Sequence, residues 1–136
     1  MRPEIRDRWA DALESGRFKQ GTDYLHAIVR YPERKDTFCC LGVLCELAVE
    51  DGIVERTDTD SGRYYRYGSR GMSSTVDLPP AVMDWAGLAH SNPRIGTKEG
   101  GGGPIDIDAV GANDRERWTF TQIAEQLRAM PAEDIR

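Results

Sequence analysis

The sequence predicts an α+β domain: short helices packed on a small, mainly antiparallel sheet. Three observations carry that expectation. Apolar residues recur at helical spacing in separate stretches around Trp9, Leu44 and Ile123. The stretches around Ala27 and Tyr65 have the composition and the period of two that belong to half-buried strands. Glycine and proline mark the ends of these stretches, at Gly16, Pro32, Gly52, Gly68 and Pro131.

Residues 3–15 read as the first helix. Pro3 suits a first turn, Ile5, Trp9, Ala12 and Leu13 share a face, and Gly16 supplies the stop. Tyr24 to Tyr31 reads as a strand with Leu25, Ala27, Val29 and Tyr31 on its inner face, followed by a charged loop from Tyr31 to Asp36. A second helix is expected from about Cys39 to Asp51, closed by Gly52. Its apolar stripe is Leu41, Leu44, Cys45 and Ala48, with Glu46, Glu50 and Asp51 reaching water.

Ile53 to Arg56 and Arg63 to Tyr67 are expected to pair as a hairpin across the turn residues Asp58 to Gly62. Leu78 to Leu88 reads as a short helix with proline at its start and glycine near its end. The glycines at 96 and 100–103 predict a mobile, exposed loop over about 96–104, and Asp106 to Asn113 is open between a strand end and a helical turn. In the last helix Thr119 and Gln122 are spaced for a capping box, Trp118 and Ile123 for a hydrophobic staple, and Pro131 ends it.

A chain of 136 residues is most simply one domain, and at that size it needs no metal or disulfide to hold a core. The first 35 residues carry 8 basic and 6 acidic side chains, yet the whole chain has a net charge of −5. A protein that coats nucleic acid replaces phosphate counterions with a basic surplus, so general nucleic-acid binding is disfavoured. The longest apolar run is too short to span a membrane, and the charged start does not read as a signal peptide. Three cysteines, two of them adjacent, do not make a secreted disulfide framework, so a cytoplasmic protein is expected.

The densest apolar run holds all three thiols: Phe38-Cys39-Cys40-Leu41-Gly42-Val43-Leu44-Cys45-Glu46-Leu47-Ala48. On a helix Cys39 and Cys40 point about 100° apart, and Cys40 and Cys45 about 140° apart, so one helix cannot aim all three at one ion. No C-x-x-C pair is present, and no metal or other cofactor is expected. A cysteine-dependent enzyme remains an alternative, because Cys39 or Cys40 would sit at a helix start with His26 or His90 as a base. Packing of the thiols as small hydrophobes is the better account.

The glycine run lacks the lysine and hydroxyl residue of a phosphate loop, and Asp106, Asp108 and Asp114 miss the spacing of a calcium loop. The remaining candidate is the tyrosine–arginine strand. Tyrosine offers flat stacking surfaces and arginine grips phosphate, so Tyr65, Arg66, Tyr67 and Arg70 are the candidate ligand-binding residues. The same residues suit a protein-binding face or an ordinary strand.

Several stretches, taken in order along the chain, resemble a family of small tailed-phage and prophage proteins. They are Trp9-Ala10-Asp11-Ala12-Leu13 with Lys19-Gln20-Gly21, the cysteine segment, Leu78-Pro79 with Trp85-Ala86-Gly87-Leu88, and Asn113-Asp114 before Thr119-Phe120 and Ile123-Ala124. One departure is local: the resemblance leads one to expect a glycine-bearing turn after Asn113-Asp114, where Arg115-Glu116-Arg117 stands. The resemblance implies a phage accessory protein made in the bacterial cytoplasm, and it supplies no catalytic residues. It points to a non-enzymatic, oligomeric counter-defence protein whose partner is a small nucleotide signal or, alternatively, a host protein.

Overall fold

The computed structural model describes residues 1–69 and 71–136 and has the expected α+β architecture. Helix α1 spans Pro3–Glu14, α2 Cys40–Glu50, α3 Pro80–Ala86 and α4 Phe120–Ala129. Strands β1 (Lys19–Gln20), β2 (His26–Val29) and β3 (Lys35–Phe38) form one sheet in the order β1-β3-β2. Strands β4 (Glu55–Asp58), β5 (Tyr65–Ser69) and β6 (Met72–Ser74) form a second, antiparallel sheet in chain order. Strands β7 (Arg94–Gly100) and β8 (Gly103–Asp108) make a separate hairpin.

Sequence logic is clearest in α4. The Thr119 hydroxyl accepts from the Gln122 amide at 3.1 Å, and the Gln122 carbonyl oxygen accepts from the Thr119 amide at 2.8 Å, which completes the capping box. Phe120, Ile123, Ala124 and Leu127 are buried on the stripe that packs against α1. On α1 the buried residues are Ile5, Trp9, Ala10, Ala12 and Leu13, and the Trp9 indole donates to the Cys40 carbonyl at 2.8 Å.

Helix α2 is the centre of the core: every residue from Cys40 to Ala48 is buried. A helix apolar on all sides must be covered on all sides. Its closest approach is at Gly42, where an added Cβ would lie 1.7 Å from the Leu25 carbonyl oxygen; only a glycine lets the helix lie against the chain entering β2.

Four expectations are corrected. The 96–104 segment is not a mobile loop but the body and turn of the β7–β8 hairpin, with Gly100 paired to Gly103. Glycine is required there for close packing: a Cβ on Gly96 would meet the Gln126 side chain of α4 at 2.9 Å. Strand β2 faces the opposite way from the expected one. His26 and Ile28 are buried, whereas Val29 and Tyr31 are exposed, because His26 has polar partners that the alternation rule does not see. Finally, Glu46 is buried rather than solvated, held by Arg56 at 2.7 Å. The charged loop is also shorter than expected, since β3 begins at Lys35.

The ambiguous 106–113 stretch resolves into both alternatives in succession: β8 runs to Asp108, and a π-helical turn spans Gly111–Arg115. The left-handed residue that closes this region is Arg117, at φ 55°, so the turn expected from a glycine is made by an arginine. That conformation costs a non-glycine residue about 1 kcal/mol.

Candidate functional site

The three cysteines are free and buried. Burial pushes the Cys39 thiol up to about 12, even though Cys39 caps the start of α2, and burial also raises Cys40 and Cys45 well above the ordinary range. A nucleophile needs a thiolate and access to substrate; these thiols have neither. Cys40 Sγ instead donates to the Ala109 carbonyl at 3.4 Å. Among the described residues, no group of three or more His, Cys, Asp and Glu side chains is placed to hold a metal ion.

Gln20, Gly21, Cys40, Asn113, Asp114 and Phe120, from separate stretches of the chain, converge in one hydrogen-bonded knot. Asn113, 2% exposed, accepts from the Gln20 amide at 2.9 Å and from the Cys40 backbone N–H at 3.2 Å. Its own amide donates to the Gly21 carbonyl at 2.8 Å and to Asp114 at 2.7 Å. Gln20 also donates to the Trp118 carbonyl and accepts from the Phe120 amide. Asp114 accepts from the Asp23 amide at 3.2 Å. Residues scattered over a hundred positions thus fasten β1, α2, the π turn and α4 together. The knot is centred on a buried, fully paired Asn113, and its bonds fasten the fold.

A different polar cluster lies where the first two sheets meet. His26, 1% exposed, has Nδ1 2.9 Å from the Tyr67 hydroxyl and Nε2 3.0 Å from Asp36 Oδ2. An ionised Asp36 accepts only, so Nε2 carries the proton and Nδ1 accepts from Tyr67. Glu46 Oε1 lies 3.6 Å from Nδ1 and is paired with Arg56, whose guanidinium sits 5.2 Å from the Tyr65 ring centroid. Arg34 donates to Asp36 at 3.3 Å and to the Tyr65 hydroxyl at 3.2 Å. Desolvation holds His26 below its ordinary value, against the pull of Asp36 and Glu46. Burial opposes ionisation of Asp36, yet hydrogen bonds from His26 and Arg34 keep its carboxyl below the usual range. Burial and the Glu46 charge raise Tyr67, which stays a neutral hydroxyl.

This cluster disposes of the predicted site residues unequally. Tyr67 is fully buried and bonded to His26, so it has no ring face for a ligand. Tyr65 is half-buried between His26, 4.4 Å from its ring centroid, and Arg56. Arg66 is exposed, on the opposite side of β5 from its two tyrosine neighbours. Arg70 lies outside the described residues. Tyr65, Arg66 and Tyr67 are therefore not assembled into one pocket.

What lies beside them is a surface cleft of about 460 Å³, lined by Ile28, Arg30, Tyr31, Ser61 and Arg63. The end of β2 forms one wall and the approach to β5 the other. They are joined by the Ile28 amide donating to the Arg63 carbonyl at 2.7 Å and by an antiparallel bridge between Ala27 and Tyr64. Tyr64 in turn stacks on Tyr24, with ring centroids 4.4 Å apart. Arg30 reaches across to the Gly62 carbonyl at 2.9 Å. Tyr31 is 86% exposed, an unusual setting for a large aromatic ring. Sequence reasoning took in Arg63 as part of the tyrosine–arginine strand but placed Tyr31 on the core face and passed over Arg30. The available signal was the Arg30-Tyr31-Pro32 triplet, an aromatic next to a cation at a chain break.

Fold and surface together define a small α+β domain with a buried thiol helix and an arginine-flanked cleft at a sheet junction. Residues 1–130 match the family model described as Domain of unknown function (DUF8296), and the chain belongs to that family. No curated protein and no solved structure matches it.

Proposed function

We propose that the protein is a non-enzymatic phage counter-defence protein that sequesters a nucleotide-type signal in the cleft between Arg30, Tyr31 and Arg63. The observation that carries the reading is the cleft itself: two arginines and an exposed tyrosine ring around an apolar floor at Ile28. Its volume of about 460 Å³ falls within the range of small-molecule sites. A guanidinium pairs with phosphoryl oxygens through parallel N–H bonds, and a tyrosine face accepts a stacked base. The Ser61 side chain adds a hydroxyl on the Arg63 wall. Tyr65, half-buried against His26 and Arg56, is not among the residues that line the cleft.

Sequestration without turnover is favoured because the thiols are buried and His26 is closed off from the cleft surface by its own partners. Heating the protein with a panel of cyclic nucleotides and ADP-ribose derivatives tests this. One or more should raise the melting temperature and be recovered chemically unchanged. Turnover of the ligand would replace sequestration with catalysis. A flat panel would transfer the exposed Tyr31 and Val29 to contact with a host protein.

A further inference from the structure

We propose that His26 is a proton-operated latch that fastens the β1–β3 sheet to the β4–β6 sheet and loosens when the imidazole takes up a proton. The proposal concerns the sheet junction itself and does not depend on what occupies the neighbouring cleft.

The geometry places one imidazole across the junction. His26 stands on β2, and its Nδ1 is bonded to the Tyr67 hydroxyl on β5, 2.9 Å away. No other residue of β2 bonds β5 through its side chain among the described residues. Around it the junction is held by backbone bonds from Ile28 to Arg63 and from Leu25 to Thr75, by the Ala27–Tyr64 bridge, by the Arg34–Tyr65 and Arg30–Gly62 hydrogen bonds and by the Tyr24–Tyr64 stack. The charged and titratable groups facing the ring are Asp36 on β3 with Arg34 before it, Glu46 on α2, Arg56 on β4, and Tyr65 and Tyr67 on β5, and the Phe38 ring packs against it. Two carboxylates and two guanidiniums already balance, so the cluster is neutral when the imidazole is neutral.

Adding a proton changes both terms of that balance. Nδ1 becomes a donor, so the bond to Tyr67 must reverse and the tyrosine O–H turns to Glu46, which also accepts from Arg56. The new cation is also 1% exposed and cannot be hydrated where it stands. Opening of the junction hydrates the ring and lets it bind the proton at its ordinary value. The closed state, with its lowered value, binds the proton only at more acid pH. Opening therefore becomes easier as pH falls below the ordinary imidazole value of about 6.5, and the effect levels off below the closed-state value.

Native-state amide exchange at Ile28, corrected for intrinsic rates, reads the latch directly. Protection of this amide should fall several-fold between pH 7.5 and pH 5, while Ile123 and Leu127 in α4 hold theirs. His26→Phe should remove the pH dependence at Ile28. Because that variant removes buried hydrogen bonds, a second measurement stands beside it: imidazole NMR titration in His90→Gln protein, in which His26 is the sole histidine. The neutral ring should carry its proton on Nε2 and titrate below the ordinary value, lower still in Glu46→Gln. Protection at Ile28 that stays flat with pH, or a His26 that titrates at the ordinary value, would overturn the latch.

Discussion

The knot around Asn113 and the junction around His26 are both polar clusters inside the same small domain, and they are built to opposite ends. In the knot, neutral amides and backbone groups pair with one another, and Asp114 at its rim is the one carboxylate that joins them. In the junction, charged side chains surround one imidazole, and the network runs outward to the partly exposed guanidiniums of Arg34 and Arg56. The first arrangement fixes one structure. The second leaves a choice of proton positions next to a concave surface. Motif density therefore points to what holds the domain together, and the sparser region is where binding is to be sought.

That contrast can be broken at graded cost. The largest effect is expected at Gly42, where helix and strand touch. Gly42→Ala puts a Cβ against the Leu25 carbonyl and should cost about 3 kcal/mol or more, read as loss of the cooperative melting transition or a large drop in its midpoint. Asn113→Ala follows. It strips partners from the Cys40 N–H and the Gly21 carbonyl, and a loss of about 2–3 kcal/mol in denaturant unfolding is expected. Tyr67→Phe removes one buried hydroxyl and leaves His26 Nδ1 without a donor. It should cost about 1–2 kcal/mol at neutral pH. If Tyr67→Phe proved costlier than Asn113→Ala, the division between a structural knot and an adjustable junction would be wrong.

The smallest effects test chemistry rather than stability. The three thiols should resist a thiol-reactive dye in the native state and all react after unfolding, since burial raises each of them. Rapid labelling of Cys39 in the folded protein would reopen a cysteine-dependent activity. Arg30→Ala and Arg63→Ala remove exposed cleft side chains and should change unfolding free energy by no more than about 0.5 kcal/mol each.

Much of the fold was legible because the relevant signals are local. A capping box, a proline at a first turn and an apolar stripe each lie within a few residues, and α1, α2, α3 and α4 were visible for that reason. The errors came where a residue's role depends on a distant partner. His26 goes inside because Asp36 and Tyr67 meet it there, and Glu46 is buried because Arg56 arrives from another strand. The glycines of the β7–β8 hairpin read as flexibility when one of them, Gly96, makes room for α4. At the site, composition correctly drew attention to tyrosine and arginine near β5. Which of those side chains face water depended on the junction between two sheets, and no local pattern encodes it.

The most direct test of the account sets the arginine cleft against the thiol helix in one titration. Calorimetry with the panel nucleotide that gives the largest melting shift would compare wild type, the Arg30→Ala/Arg63→Ala double variant, and Cys39→Ala. The account predicts that the double variant binds at least about tenfold more weakly, each lost charge-assisted contact being worth roughly 1.5–3 kcal/mol, while Cys39→Ala binds as wild type does. Undiminished binding by the arginine variant, or binding abolished by loss of the thiol, would contradict it.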